Sequence, residues 1–476
     1  MRRRFLAPSV PMVAALMVHL ALPGAGVIAQ TPAQAGAGAS VGQAAAAPAG
    51  APGQGRGPGF GGRGGPAVVS PEVQADGRVT FRLVAPNAQQ VSVTGMPGGA
   101  IAMSRNEQGV WTGTTASSLA PDIYQYTFNV DGLTIVDPVN VKFSPAFNRI
   151  ARSAFQVPGD NAWTPIAGAP RGAIAQHAFH SAVTNDDREF YVYTPPGYDT
   201  KRRRPYPVVV LQHGLGDDAK AWTQYGGANT TLDNLINQGK ATPMIMVNTL
   251  GYGTANGGGG IDAPEMQRNF TRILNEELLP VVYRQYNAST DRDDHSIAGL
   301  SMGGGEAIMN LNNLANFAWY GSFSGAFNNW AQTIPFATPP ASAAVVATAE
   351  TAIETARAQQ AADQQAAQQL AAAAGAAPGA GRGGAAGGGR GAGSGPVFDA
   401  RLPLLFPNLN ARSNGQIRLL WFGVGTADTL LAVNRQFRDF LTARGVKHTY
   451  TEYSGEGHVW PLWRRNFAEF AQLIFK

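Results

Sequence analysis

Two kinds of hydrophobic pattern divide the chain. Between residues 68 and 160, short segments alternate apolar and polar residues with a period of two, at 79–83, 91–93 and 124–130. Turn-forming Pro-Asn, Pro-Gly-Gly and Asp-Gly sequences separate them, as expected for antiparallel strands. The pattern predicts a small all-β, immunoglobulin-like sandwich over 68–160, with Tyr124, Tyr126 and Phe128 on one packed face.

From about residue 172 to the end, apolar strands alternate with helical patterns. The segments 206–211 and 243–247 are continuous apolar runs, which is typical of strands buried on both faces of a parallel sheet. Further strands are predicted at 190–193, 296–298, 319–323, 417–422 and 448–453, and helices at 265–286 and 460–474. This alternation predicts an α/β domain with an open, doubly wound sheet over 172–476.

Two segments have compositions that do not support a packed core. Residues 30–66 are mostly Ala, Gly, Pro and Gln, and residues 375–396 are nearly all Gly, Ala and Arg. Such segments bury too little apolar surface to become ordered. The first is predicted to be a disordered linker. The second belongs to an insertion at 336–397, whose part at 344–374 is compatible with a helix; a lid over the active site is the functional alternative.

Composition narrows the classes of function. Charged residues make up only 14% of the 476, and the net charge is +5, much of it from Arg2, Arg3 and Arg4 and from arginines in glycine tracts. We therefore expect no nucleic-acid partner; an RNA-binding role for the tracts at 55–65 and 381–391 is the alternative to solvated linker. The absence of cysteine excludes disulfides, thiolate metal sites and a cysteine nucleophile.

The first 29 residues have the pattern of a cleaved export signal. A basic start precedes an apolar run, and moderately small residues suit cleavage before Gln30. A membrane anchor is the alternative, but three prolines and His19 interrupt the run. No later stretch is apolar enough to cross a bilayer. The prediction is a periplasmic or secreted protein that does not contact the membrane after cleavage.

A Gly-x-Ser-x-Gly sequence at 299–303 surrounds Ser301. With 59 glycines and 19 serines in the chain, chance alone gives about 0.3 such motifs, so the flanking sequence must decide. A strand is predicted before it and a helix after it, which is the context of a nucleophile elbow. Gly299 and Gly303 remove side chains where such a turn crowds its neighbours. Ser301 is therefore the candidate nucleophile.

A serine nucleophile needs a histidine base and an orienting acid, in the order Ser, Asp, His for a hydrolase sheet of this kind. Among the seven histidines, His458 is in the loop between the last strand and the last helix, where the base is expected. Asp428 follows the preceding strand and its glycine turn; an N-cap role is its alternative. Glu456 is the weaker candidate for the acid.

The strand at 206–211 ends in a His-Gly sequence, the usual position for one side of an oxyanion hole. One backbone N–H is expected from Met302, directly after the nucleophile, and the other from Leu215 or Gly216.

Four stretches carry a resemblance to a known family: HGLGDD at 213–218, GLSMGG at 299–304, FGVGTAD at 422–428 and GHVWPLWRRNFAEFAQLIF at 457–475. They resemble the esterase D-like, feruloyl esterase group of carbohydrate esterase family 1, over roughly 172–335 and 398–476. The resemblance implies an α/β-hydrolase fold, with Ser301 as nucleophile, His458 as base and Asp428 as acid. It also implies a feruloyl or acetyl ester on plant cell-wall polysaccharide, such as xylan, as the substrate, and no metal or cofactor.

The β-domain resembles the early-set or family-48 carbohydrate-binding modules found before such esterases, through FRLVAPNAQQVSV at 81–93 and YQYTFNVDG at 124–132. No sugar-binding aromatic residue is identifiable in it, since Trp111 is expected to be a structural turn residue. The insertion at 336–397 departs from the family pattern.

Three further residues are candidates for contacting a polysaccharide-linked or small ester substrate. His213 is expected to shape the loop at 213–216, called here the oxyanion loop, or to border the substrate. Trp460 and Trp463 are expected to flank an aromatic acyl group or to be packing residues.

Two other functions use the same features. An acyltransferase resembling the mycolyltransferases has the same triad but excludes water. A carbohydrate-binding protein with an inactive hydrolase domain is the second rival, although Ser301, Asp428 and His458 are all present.

Overall fold

The computed structural model describes residues 68–144, 150–255, 265–327, 341–373 and 396–476. All of them belong to one compact unit, Gly64–Lys476. The predicted export signal and linker, and nearly all of the glycine-rich stretch at 375–396, lie outside the described residues. Within the described ranges, no helix has both the length and the hydrophobicity to span a membrane.

The N-terminal part is the predicted β-sandwich. Its strands are β1 Glu72–Val73, β2 Val79–Val84, β3 Val91–Thr94, β4 Ile101–Ala102, β5 Ser104–Arg105, β6 Val110–Thr114, β7 Asp122–Val130, β8 Leu133–Ile135, β9 Phe143–Ser144 and β10 Arg152–Val157. One antiparallel sheet has the order β1-β2-β6-β5, and the other has the order β4-β3-β7-β10-β9, with β8 beside β7.

Aromatic residues from both sheets fill the core of the sandwich. Phe81 of β2 contacts Tyr126 of β7, and Tyr126 and Phe128 are completely buried, as the alternating pattern predicts. Tyr124 lies half-buried at the edge of the same cluster. Trp111 was expected in a turn, but it lies in β6, where its indole N–H donates to the Ala85 carbonyl.

The C-terminal part is built on one eight-stranded sheet. Its strands are β11 Ala173–Ser181, β12 Asp186–Thr194, β13 Val208–Gln212, β14 Ile245–Thr249, β15 His295–Leu300, β16 Trp319–Phe323, β17 Leu419–Gly425 and β18 Thr449–Tyr453. They lie in the order β11-β12-β14-β13-β15-β16-β17-β18. β12 is antiparallel to both its neighbours, and the strands from β14 to β18 are all parallel. This is the predicted α/β-hydrolase sheet.

Helices cover both faces of this sheet. They are α1 Ala221–Gln224, α2 Ala228–Asn237, α3 Met266–Arg272, α4 Leu279–Gln285, α5 Met302–Met309, α6 Ala343–Ala373, α7 Pro396–Leu405, α8 Leu431–Ala443 and α9 Trp460–Ala471. Along β13, Val208 and Val210 pack into one core layer and Val209 and Leu211 into the other. Side chains alternate across a strand, so burial on both faces explains the continuous apolar run.

Two details differ from the sequence-based expectation. β11 was not predicted, because it is an edge strand whose residues are mostly half-buried or exposed, and His177 and His180 lie within it. The helix predicted at 265–286 contains a π-helical segment, Ile273–Leu278, between α3 and α4.

The insertion includes an ordered helix. The segment at 344–374 corresponds to α6, whose buried residues Ala349, Ile353 and Ala356 recur at helical spacing. α6 packs against α7.

Candidate active site

Ser301 occupies a strained turn between β15 and α5. Its backbone has φ 52° and ψ −114°, a conformation that residues with a Cβ rarely adopt. The turn is held in place because the Ser301 N–H donates to the Phe323 carbonyl of the neighbouring strand at 2.9 Å.

Glycines allow the strand and helix to meet at this turn. A Cβ at Gly299 would lie 2.6 Å from the carbonyl carbon of Gly303, and a Cβ at Gly303 would lie 2.5 Å from the Gln212 Cβ. Both distances are too short for any side chain, so the two glycines have the function predicted for them.

The three side chains predicted to form a triad are connected by hydrogen bonds. The Ser301 Oγ lies 3.0 Å from His458 Nε2. On the other side of the ring, His458 Nδ1 lies 3.0 and 3.1 Å from the two Asp428 carboxylate oxygens. A carboxylate only accepts, so Nδ1 carries the proton and Nε2 accepts from the serine hydroxyl.

Asp428 follows β17 and is almost completely buried. Its Oδ1 also accepts from the Leu430 N–H at 2.8 Å, but α8 begins only at Leu431 and its N-cap residue is Leu430. The N-cap alternative is therefore wrong. The Glu456 carboxylate pairs with Arg465 at 3.1 Å, and the carboxylate bonded to His458 Nδ1 is that of Asp428.

His458 lies in the loop between β18 and α9, and its side chain remains about a third exposed. Its ring packs edge-to-face against Trp463, with the ring centroids 4.8 Å apart. The imidazole is thus oriented by Asp428 and by Trp463, and it is open to solvent on the remaining side.

The structure distinguishes between the two loop residues that were predicted as donors of the oxyanion hole. The Gly216 N–H donates to the Tyr252 hydroxyl at 2.6 Å, so Gly216 is not available and this part of the prediction is wrong. Leu215 remains as the loop candidate. The loop runs beside the serine, since a Cβ at Gly214 would lie 3.5 Å from the Ser301 Cβ. Met302, the other candidate, is the first residue of α5.

His213 is a buried residue that joins two loops by hydrogen bonds. It is 1% exposed, and both ring nitrogens have partners within the protein. Nε2 accepts from the Gly251 N–H at 2.9 Å, so Nδ1 donates to the Gly214 carbonyl at 2.8 Å.

Trp460 and Trp463 are packing residues in this structure. Trp460 is 8% exposed and packs edge-to-face against Trp222 and Tyr225. Trp463 is 6% exposed and lies against His458. Neither forms the open aromatic surface that an acyl group would need, so the packing alternative is the correct one.

Sequence reasoning missed Tyr252, which reaches the oxyanion loop, and Glu306, a carboxyl group enclosed in α5. Tyr252 follows the end of β14, and a polar side chain at the carboxyl end of a parallel strand was the available signal. Glu306 is 1% exposed, and its carboxyl oxygens have no hydrogen-bond partner among the described residues. Burial raises the pKa of the Glu306 carboxyl well above its usual value.

Two family models match the chain. One, described as "Putative esterase", matches residues 181–473, and the carbohydrate-binding module 48 (isoamylase N-terminal domain) model matches residues 67–145.

Similar proteins include an endo-1,4-beta-xylanase/feruloyl esterase of Xylanibacter ruminicola, 31% identical over 272 residues, which are 55% of this chain and 36% of that protein. The chain spans about a third of the length of the curated relatives it matches.

The solved structures similar to this chain have low sequence identity to it. The enterobactin esterase of Shigella flexneri has a TM-score of 0.50 and 17% identity, covering 83% of this chain and 92% of its own. A CE1 ferulic acid esterase of Anaeromyces mucronatus has a TM-score of 0.47 and 20% identity, covering 67% and 96%. The esterase family model covers more than half of the sequence, and the chain therefore belongs to this esterase family.

Proposed function

We propose that the protein is a serine carboxylester hydrolase that uses Ser301, His458 and Asp428. One observation carries the proposal: a serine in a strained strand–helix turn is hydrogen-bonded to a histidine that is hydrogen-bonded to a buried carboxylate. This is the arrangement that activates a serine hydroxyl for attack on a carbonyl carbon.

The reaction has two halves. His458 Nε2 takes the proton from the Ser301 hydroxyl as its oxygen attacks the ester carbonyl, and then returns that proton to the departing alcohol. Water next attacks the acyl-enzyme, with His458 again acting as the base. Asp428 keeps the proton on Nδ1 and stabilises the imidazolium that forms in each half.

The negative charge that develops on the carbonyl oxygen needs donors fixed in advance. Met302 opens α5, where backbone N–H groups have no partner in the preceding turn and the helix dipole favours a negative charge. We assign the first donor to the Met302 N–H and the second to the Leu215 N–H. Losing one such donor typically costs about 2.7–4 kcal/mol of transition-state stabilisation.

The substrate we propose is a feruloyl or acetyl ester of a plant cell-wall polysaccharide. The partial match to a xylanase/feruloyl esterase and the carbohydrate-binding module match over 67–145 support this class. A polysaccharide substrate also agrees with the predicted export of the chain to the periplasm or the medium.

The test is a panel of methyl ferulate, acetylated xylan and p-nitrophenyl acetate with the full chain and with Ser301→Ala. We expect the variant to lose at least about 10⁴-fold in kcat, since removing the nucleophile of such a triad has effects of this order or larger. Ser324→Ala is the matched control, because Ser324 also follows a sheet strand at positive φ and is buried. It should keep wild-type activity.

Unchanged ester cleavage by Ser301→Ala would exclude the proposal. Measuring free acid against acyl transfer to a sugar acceptor separates a hydrolase from an acyltransferase. A wild-type chain that binds xylan and cleaves none of the three esters would support the inactive binding protein instead.

A further inference from the structure

The loop after β14 is bonded to the oxyanion loop at two points. The Gly216 N–H donates to the Tyr252 hydroxyl at 2.6 Å, and the Gly251 N–H donates to His213 Nε2 at 2.9 Å. His213 in turn donates from Nδ1 to the Gly214 carbonyl at 2.8 Å. The tripeptide that contains Leu215 is therefore held on both sides.

Tyr252 is fixed from behind by a buried arginine. Arg188, on β12, donates to the Tyr252 carbonyl at 2.6 Å and to the Thr254 carbonyl at 2.9 Å. Its charge is balanced by Asp186 at 2.9 Å, and both side chains are nearly inaccessible to water. A buried, fully paired group of this kind has little freedom to move.

The ring of Tyr252 packs among apolar and aromatic neighbours, so its hydroxyl is aimed at one place. The residue is 3% exposed, clusters with Met266 and Met302, and its ring centroid lies 5.4 Å from that of His213. Met302 carries the other proposed donor of the oxyanion hole, so the Tyr252 hydroxyl bonds the loop while its ring belongs to the same side-chain cluster as Met302.

We propose that Tyr252 is a positioning residue that holds the oxyanion loop at the distance required by the transition state. The inference rests on the proposed function. The bond to the Gly216 N–H, where φ is 81°, fixes the backbone after Leu215, and the bond to the Gly214 carbonyl fixes the peptide that carries the Leu215 N–H. Donors of this kind must be held to within about 0.5 Å of the productive geometry.

The variant Tyr252→Phe removes the hydroxyl and keeps the ring. We expect kcat for p-nitrophenyl acetate to fall about 10- to 100-fold with KM little changed, because an interaction made only in the transition state is lost. Binding of a trifluoromethyl ketone, whose adduct with Ser301 carries an oxyanion, should weaken by a similar factor. Tyr320→Phe is the matched control: Tyr320 is also buried and its hydroxyl donates to the Phe317 carbonyl. It should change neither quantity.

A second variant tests the positioning of Tyr252 through Arg188, which donates to the Tyr252 carbonyl. Arg188→Lys should also lower kcat selectively, and the double variant with Tyr252→Phe should lose less than the product of the two single losses, since both act on one contact. Losses that multiply fully would contradict the proposal, and so would a kcat for Tyr252→Phe within twofold of wild type.

The outcomes distinguish the two proposals. A wild-type chain without esterase activity, or an active Ser301→Ala, overturns the proposed function. An active wild type, an inactive Ser301→Ala and a fully active Tyr252→Phe overturn only the positioning role of Tyr252.

Discussion

The carboxyl group of Glu306 lies inside the protein, in the helix that follows Ser301. It packs against Gly251, where an added Cβ would lie 2.9 Å from Oε2. Burial raises the pKa of this carboxyl well above its usual value of 4.5, so the folded chain keeps a proton that the unfolded chain loses as pH rises. The contribution of Glu306 to the free energy of unfolding should therefore fall as pH rises above 4.5.

Glu306→Gln should remove that dependence. We expect its free energy of unfolding to equal that of the wild type at about pH 4 and to exceed it at about pH 8, with a difference that grows by up to about 1.4 kcal/mol per pH unit. Denaturant unfolding at a series of pH values measures this.

Glu452→Gln is a control for which the effect of the substitution on stability at high pH should have the opposite sign. The hydrogen bond from Arg435 lowers the pKa of Glu452 to about 2, so this carboxylate stabilises the fold above its usual pKa and loses that effect as pH falls. The variant should be the less stable chain at about pH 8. Parallel pH profiles for Glu306→Gln and wild type would show that Glu306 is not protonated in the fold.

Among the candidate site residues, the sequence identified those whose position in the chain is restricted by the fold. Ser301, Asp428 and His458 could be predicted to lie together because strand ends and their order allow few alternatives, and the structure connects them by hydrogen bonds. His213, Trp460 and Trp463 could not be assigned, since a histidine or tryptophan near a strand or helix end fits both packing and substrate contact. Only the burial and the ring contacts decide for packing.

The element that matters most for the site is α5, which lies close against β13 and β15. Gly303 makes this approach possible: a Cβ there would lie 2.5 Å from the Gln212 Cβ and 2.6 Å from the His213 carbonyl oxygen. Neither atom is at the end of a flexible side chain, so the helix or the strand would have to move.

Gly303→Ala should therefore destabilise the fold by about 1–3 kcal/mol, the usual cost of overpacking a close contact. It should also lower kcat, because Ser301 and Met302 move with the helix. Thermal unfolding and p-nitrophenyl acetate hydrolysis report the two effects. Gly415→Ala is the control, since nothing lies within 4 Å of its added Cβ. Wild-type stability and activity in Gly303→Ala would show that the contact is not required.

The strands that are buried along their whole length could be predicted from the sequence. β13 and β14 are completely buried, and both coincide closely with their continuous apolar runs. β11 has one exposed edge and a mixed pattern, so neither a run nor a clear alternation identified it. The π-helical segment within 265–286 gave no signal, because its apolar spacing resembles that of an α-helix.

Over the whole molecule, a buried ion pair joins the sandwich to the hydrolase part. Asp122, the first residue of β7, accepts from Arg464 of α9 at 2.7 Å and from the Trp163 indole at 2.9 Å. Arg464 is completely buried and lies over the rings of Tyr225 and Trp460. Trp463, the residue that precedes Arg464, contacts His458.

Asp122→Ala should lower the free energy of unfolding by about 3–5 kcal/mol, since it leaves the Arg464 charge buried without its partner. Chemical denaturation measures the loss. Asp76→Asn is the control: Asp76 pairs with Arg78, but both side chains are about half exposed, and stability should stay close to wild type. An Asp122→Ala chain as stable as the control would show that the pair does not join the two parts.

Sequence could not predict this contact. The two residues are 342 positions apart, and neither the alternation around Asp122 nor the aromatic pattern around Arg464 indicates a partner. The sequence predicted two domains, and this ion pair links the two parts within one compact unit.

The proposed function requires Ser301 to be the nucleophile of an ester hydrolase. Labelling the full chain with a fluorophosphonate ester and locating the adduct by peptide mass mapping tests it most directly. We expect one adduct, on the peptide that contains Ser301, formed in step with the loss of methyl ferulate hydrolysis and absent from Ser301→Ala. An adduct on another residue, or a fully labelled chain that still hydrolyses the ester, would contradict it.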